Sequence, residues 1–188
     1  PNSMRLNRLF SVAMLSFLFG VSASAQQPYS GCWFPDDVIN WSPLTDADAK
    51  LNRSRIPLQA RIDNHYGSGQ IETATITNKM CSLTPSQGDN NFLAYQPTYW
   101  QYMEKFINWG GAGNEGIFVL PPAGTIDAAH LNGVKILGTL FFMPRTIGGR
   151  DGWIEAMLTK DANGKYPYAV KMYEIAKYFG FDGWFITK

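Results

Sequence analysis

The sequence predicts an α/β fold on a parallel sheet, specifically the N-terminal half of a (β/α)8 TIM barrel. Three observations point there. Nearly unbroken apolar runs such as "VKILGTLFF" and "GWFI" are what a parallel strand covered on both faces requires. Helical stretches ending in glycine lie between them, so strand and helix alternate at about 40-residue intervals. Doubly wound sheets share this local grammar, so the alternation leaves closure open. Length narrows it: residues 26–188 hold 163 positions and about four strands, whereas a whole barrel takes on the order of 250 residues. Half a barrel is the economical reading, which makes the chain a truncated one.

The elements follow in order. Met4 opens a basic "RLNR", an apolar "LFSVAMLSFLFGV" and a small-residue "SASA", the pattern of a secretory signal peptide. Residues 1–25 are therefore expected to be a leader, with residues 1–3 a leading scar, and residues 26–188 the N-terminal part of the barrel domain. An apolar run of about 13 residues is too short for comfortable spanning, so the product is expected to be exported, secreted or periplasmic, without a membrane anchor. The stretch from Pro28 to about Gln70 reads as irregular, with a short extended run at its end. "KMCSLT" at 79–84 is the first candidate strand, broken by "PSQGDNN". "PTYWQYMEKFINWGG" runs from a helical or turn segment into an extended "KFINW". "GTIDAAHLNG" reads as a short helix with Thr125 as N-cap, Asp127 in the first turn and Gly133 just past the end. "YAVKMYEIAKYFG" places Val170, Tyr173, Ala176 or Lys177, and then Phe179 or Gly180 at helical spacing, with Gly180 as its stop.

Composition excludes several functions. Without Arg5 and Arg8 of the leader, 14 basic and 15 acidic residues remain, a net charge of −1. Nothing in that balance favours nucleic acid or an anionic membrane as partner. Two cysteines, Cys32 and Cys81, are either one disulfide or two separate thiols; a single pair is not a disulfide framework. Only His65 and His130 are present and no paired cysteine motif occurs, so no metal site is expected. Aromatic residues make up 14%, six of them Trp, which favours a site that stacks flat ligands, although single tryptophans more often fill cores.

"GAGNEG" at 111–116 matches the dinucleotide fingerprint, but that motif works only where its last glycine opens a helix facing the pyrophosphate. The extended "IFVLPP" follows instead, so the glycines read as a loop after a strand. Carboxylates are the remaining route to hydrolytic chemistry. Glu115 lies in the glycine loop, within range of a cleft, while Asp127 and Asp182 read as structural, the latter at the start of its strand. His130 reads as a helix residue packed on the sheet. Barrel enzymes keep their sites at the carboxyl ends of strands. Here those positions are Asn108 and Trp109, then Phe141, Phe142 and Met143, then Ile186, Thr187 and Lys188. Aromatic rings there offer flat faces to sugars; alternatively Phe141 and Phe142 point to opposite sides of the sheet and hold no ligand.

From "INWSP" near residue 39 onward, through "NRSRIPL", "SQGDNNF", "YWQYMEKFINWGG", "AAHLNGVKILGTLFF" and "YFGFDGWFI", the chain resembles the glycoside hydrolase family 85 endo-β-N-acetylglucosaminidases. The resemblance implies a (β/α)8 barrel that cuts between the two core GlcNAc residues of N-glycans on glycoproteins. It implies substrate-assisted retention: the substrate's 2-acetamido oxygen attacks the anomeric carbon, a Glu protonates the leaving oxygen and an Asn orients the acetamide. No metal or cofactor takes part. The family's motif reads Gly-Trp-Phe-Ile-Asn-Gln-Glu, with Asn and Glu two residues apart and hence on one face of a strand. Here the match holds through Ile186; Thr187 stands at the Asn position and Lys188 at the Gln position. The acid would follow Lys188, so the 188-residue piece is expected to be inactive. The sites the resemblance and strand ends together nominate are Thr187 as catalytic, and Trp109, Asn108, Phe142 and Glu115 as substrate-binding. A non-catalytic carbohydrate-binding homologue of the same barrel is the alternative, with Thr187 its supporting feature.

Overall fold

In the computed structural model the described residues are 31–61, 71–76, 97 and 99–188. The proposed leader, residues 1–25, and the candidate strand at 79–84 lie outside them.

Among the described residues six strands and four α-helices follow one another. They are β1 (Cys32–Trp33), α1 (Pro35–Asn40), β2 (Ile71–Ile76), β3 (Met103–Trp109), β4 (Phe118–Val119), α2 (Ala123–Leu131), β5 (Lys135–Phe141), α3 (Gly152–Met157), α4 (Pro167–Phe179) and β6 (Gly183–Thr187). A 3-10 turn, Trp100–Tyr102, leads into β3, so the turn-then-strand reading of that stretch is borne out.

The sheet is mixed. β2 pairs with β3, β3 with β5 and β5 with β6, all parallel. These four lie side by side in chain order, without the reversal at which a doubly wound sheet splits its helices between two faces. The short β4 fits antiparallel against the second half of β5, Phe118 opposite Leu140, and β1 adds to β4. Among the described residues the first parallel strand is thus Ile71–Ile76, which the sequence reading passed over; its "IETATI" alternates polar and apolar residues and is no continuous apolar run. Sequence reading also passed over α3, a helix of only six residues.

The core lies between the sheet and the helices. Phe106, Ile136 and Leu140 from the sheet, Ile126 and Ala129 from α2, and Ile175 and Phe179 from α4 are all buried. Around them packs an aromatic cluster: Trp33 stacks on Trp41 at 6.0 Å, and both rings contact Phe179, at 5.9 and 5.3 Å. Most tryptophans here fill the core, as expected for so large an apolar surface.

Two helix readings are corrected. α2 begins at Ala123 with Pro122 as N-cap, so Thr125 is not the cap and Asp127 falls in the second turn. Pro122 has the fixed φ, −61°, that suits the position ahead of a helix. The predicted end is right: Gly133 takes φ 68°, and Gly133 and Val134 return hydrogen bonds to His130 and Ala129 carbonyls, a Schellman stop. In α4 the buried stripe is Ile175, Ala176 and Phe179, with Tyr168 and Met172 packed beside it. Ala176 and Phe179 are thus buried as their spacing predicts, whereas Val170 and Tyr173 are exposed, so the expected stripe fails in the first half of the helix. Tyr173 instead offers its ring to Lys177 at 5.8 Å, a contact that suits an exposed aromatic.

Candidate functional site

Alternation along the strands sorts the site residues. Trp184 donates from Nε1 to the Met172 carbonyl of α4 at 3.0 Å, so its side of β6 faces the helices. Phe185 and Thr187 therefore take the other face. Register carries that face across the sheet: Thr187 pairs with Phe141, Phe185 with Thr139, and Leu137 with Ile107 of β3. Trp109, two residues beyond Ile107, lies on it too, and its ring meets that of Phe141 at 5.4 Å. Trp109, Phe141 and Thr187 thus form a half-buried patch at the carboxyl ends of adjoining parallel strands.

The backbone around this patch is fixed. The Phe142 amide donates to the Thr187 carbonyl at 2.9 Å, and the Phe141 amide to Ile117 at 2.9 Å. Thr139 is fully buried and donates its hydroxyl to the Asn108 carbonyl at 2.7 Å.

Not every nominated residue joins the patch. Asn108 is one residue out of phase with Trp109, on the face of Phe106 and Ile136, and is only 3% exposed. Phe142 lies one residue past the end of β5 and, like Phe141, packs half-buried against the core. Phe141, one of the strand-end rings, shares the face of Thr187 through the pairing of β5 with β6, a register that the sequence alone does not give.

Glu115 lies in the loop after β3, a tight turn in which Ala112 and Gly116 form an isolated bridge and the Glu115 amide donates to Ala112. The loop passes over the end of β5, since a Cβ on Gly111 would come within 4.0 Å of Phe141 Cβ. The glycines of "GAGNEG" have packing reasons. A Cβ on Gly113 would stand 2.5 Å from the Ile147 carbonyl oxygen, and one on Gly116 would stand 2.5 Å from the Trp33 backbone. A strand, not a helix, follows, so the pyrophosphate geometry is missing.

A concavity of about 630 Å³ opens elsewhere, beside α1, and is lined by Trp33, Trp41, Asp36, Asp37, Asp46 and Asp48 among others. It belongs to the helix side of the sheet. Its carboxylates have local work: Asp37 accepts from the Phe34 amide at 2.8 Å, and Asp46 accepts from Trp41 Nε1 at 3.1 Å. Among the described residues there is no cluster of three or more groups able to hold a metal, and no helix is long and apolar enough to cross a membrane. Cys32 is disulfide-bonded, which closes the alternative left open for it.

His130 and Asp182 have structural roles, as expected. The buried imidazole is bonded at Nδ1 to the Ile56 carbonyl, 2.7 Å, and at Nε2 to Asp182 Oδ2, 2.9 Å. Burial works to lower its pKa, but the Asp182 and Ile56 bonds and the charges of Asp182 and Asp127 outweigh it and raise the pKa above 6.5. Asp182 also accepts from the Ile136 amide at 2.8 Å, at the end of the strands opposite the patch.

A parallel sheet that presents two rings and a hydroxyl at its carboxyl end suits a sugar-processing α/β protein. The chain belongs to glycosyl hydrolase family 85, whose family model matches residues 77–188. It is 33% identical over 101 residues to the cytosolic endo-beta-N-acetylglucosaminidase 1 of Arabidopsis thaliana, a match covering 54% of this chain and 14% of that protein. It is 34% identical over 101 residues to the cytosolic endo-beta-N-acetylglucosaminidase of Mus musculus, covering 54% and 13%. The fold is similar to the crystal structure of the glycoside hydrolase domain of Endo-D from Streptococcus pneumoniae R6, with TM-score 0.67 and 28% identity, over 86% of this chain and 26% of that one. The aligned part is thus well under two thirds of each of these proteins. The expectation of export is corrected by the curated relatives: those of Arabidopsis thaliana, Mus musculus and Homo sapiens are named cytosolic.

Proposed function

We propose that residues 26–188 form the N-terminal half of the (β/α)8 barrel of an endo-β-N-acetylglucosaminidase that cuts between the two core GlcNAc residues of N-glycans on glycoproteins. One observation carries this reading: Trp109, Phe141 and Thr187 share one face at the carboxyl ends of adjacent parallel strands. The chain-order run of those strands and membership of family 85 support it.

The patch is suited to substrate-assisted retention. Trp109 and Phe141 provide a floor for the C–H faces of a GlcNAc ring, with Glu115 in the loop at its rim. Asn108 holds its strand end from behind rather than touching sugar. The acetamide oxygen of the substrate supplies the nucleophile, so the second carboxylate of ordinary retaining enzymes is not needed. Thr187 takes the position of the family's acetamide-orienting Asn. Its single hydroxyl donates one hydrogen bond and lacks the amide's paired donor and acceptor, so it orients the acetamide less tightly. The family's acid comes two positions after that Asn, one past Lys188. By itself the 188-residue polypeptide is therefore expected to leave glycans attached.

The test is intact mass analysis of a high-mannose glycoprotein treated with the full product of the gene that encodes this chain, and in parallel with the 188-residue polypeptide. Conversion by the full product to a form bearing a single GlcNAc is expected, with no conversion by the polypeptide alone. An unchanged glycoprotein after both treatments, with retained sugar binding, would favour the non-catalytic carbohydrate-binding reading.

A further inference from the structure

Residues 54–59 cross the ends of α2 and α4 as a strap held by polar bonds. The Ser54 amide donates to the Phe179 carbonyl at 2.9 Å, and the Gln59 amide to His130 at 3.0 Å. Asp127 Oδ1 accepts from Ser54 Oγ, the Arg55 amide and the Ile56 amide at 2.8, 2.8 and 3.0 Å. Arg55, Pro57, Leu58 and Gln59 are exposed, so little apolar burial backs these bonds.

His130 joins the strap to the sheet. Both of its ring nitrogens face acceptors, the Ile56 carbonyl on one side and the Asp182 carboxylate on the other. Only the doubly protonated imidazolium donates to both. The charged groups acting on the ring are Asp182 from the entry of β6 and Asp127 from α2 itself; β5 contributes the Ile136 amide, bound to the same Asp182 oxygen, and the strap contributes the Ile56 carbonyl.

We propose that the strap is a pH-dependent latch: protonated His130 clamps it at Ile56, and loss of the ring proton releases it while the sheet stays intact. The side that lets go is fixed by chemistry. A neutral ring keeps its one N–H on the carboxylate, the stronger charge-assisted bond, and turns a lone pair toward the Ile56 carbonyl. Two acceptors then face each other at 2.7 Å, and the strap moves away.

Amide hydrogen exchange read by NMR on the protein, expressed as protection factors to remove the intrinsic pH effect, tests this. As pH rises through the His130 titration, protection at Arg55, Ile56 and Gln59 should fall about tenfold or more, as loss of one hydrogen bond to a charged group implies. Protection in β3 and β5 should hold. The His130 ring resonances, followed in the same samples, should titrate above 6.5. His130→Gln, neutral at every pH, should abolish the pH dependence at those three amides. Unchanged strap protection across the titration, a His130 midpoint at or below 6.5, or simultaneous loss in β3 and β5 would each overturn the latch.

Discussion

Single residues carry two kinds of constraint, one legible in the sequence and one not. That a glycine-rich stretch forms a loop rather than a nucleotide site is readable from the apolar run that follows it. Why each glycine is needed is not, because the partners are remote: Gly116 lies against the Trp33 backbone with φ 135°. Gly116→Ala adds both strain and a clash, and a loss of about 2 kcal/mol or more in chemical denaturation is expected. The pairing of His130 with Asp182, 52 residues apart, was equally hidden, although the placement of each as structural was not. Asp182→Asn removes the charge facing a buried imidazolium, so a destabilisation of about 3 kcal/mol is expected near pH 6, together with a fall in the His130 midpoint by NMR. The sign for the unmodified protein follows from the raised His130 pKa. A folded-state value above the unfolded 6.5 means the contribution is fully present below about pH 6.5 and disappears as pH rises through the folded value.

At the scale of elements, continuous apolar runs identified β5 and β6, the pattern that parallel strands leave in a sequence, although in β6 no residue is fully buried and Ile186 is exposed. Helix stops were legible for a similar reason: Gly133 and Gly180 both take positive φ, at 68° and 90°. The phase of α4 was legible only at Ala176 and Phe179, near its end. Tyr173 looks apolar in a sequence window but faces solvent, while Ile175 is fully buried. Ile175→Ala is expected to cost about 2–5 kcal/mol, and Tyr173→Ala to stay within about 0.5 kcal/mol of the parent; urea denaturation of both variants checks the assignment. Comparable losses from the two would put the helix face back where its sequence spacing suggested.

In the whole molecule, alternating strands and helices announced a parallel sheet but not its order. Pairing decides that order, and the run β2, β3, β5, β6 in sequence is what brings Trp109, Phe141 and Thr187 to one end of one face. Two surfaces compete for a sugar: that patch, and the acidic groove around Trp33 and Trp41. The most direct measurement is NMR titration of the protein with a mannosyl chitobiose oligosaccharide, following the six tryptophan indoles and the Thr187 methyl. Shifts at Trp109 and Thr187 with Trp33 and Trp41 unmoved are the expected result. Shifts confined to Trp33 and Trp41 would contradict the assignment of the site to the carboxyl ends of the strands.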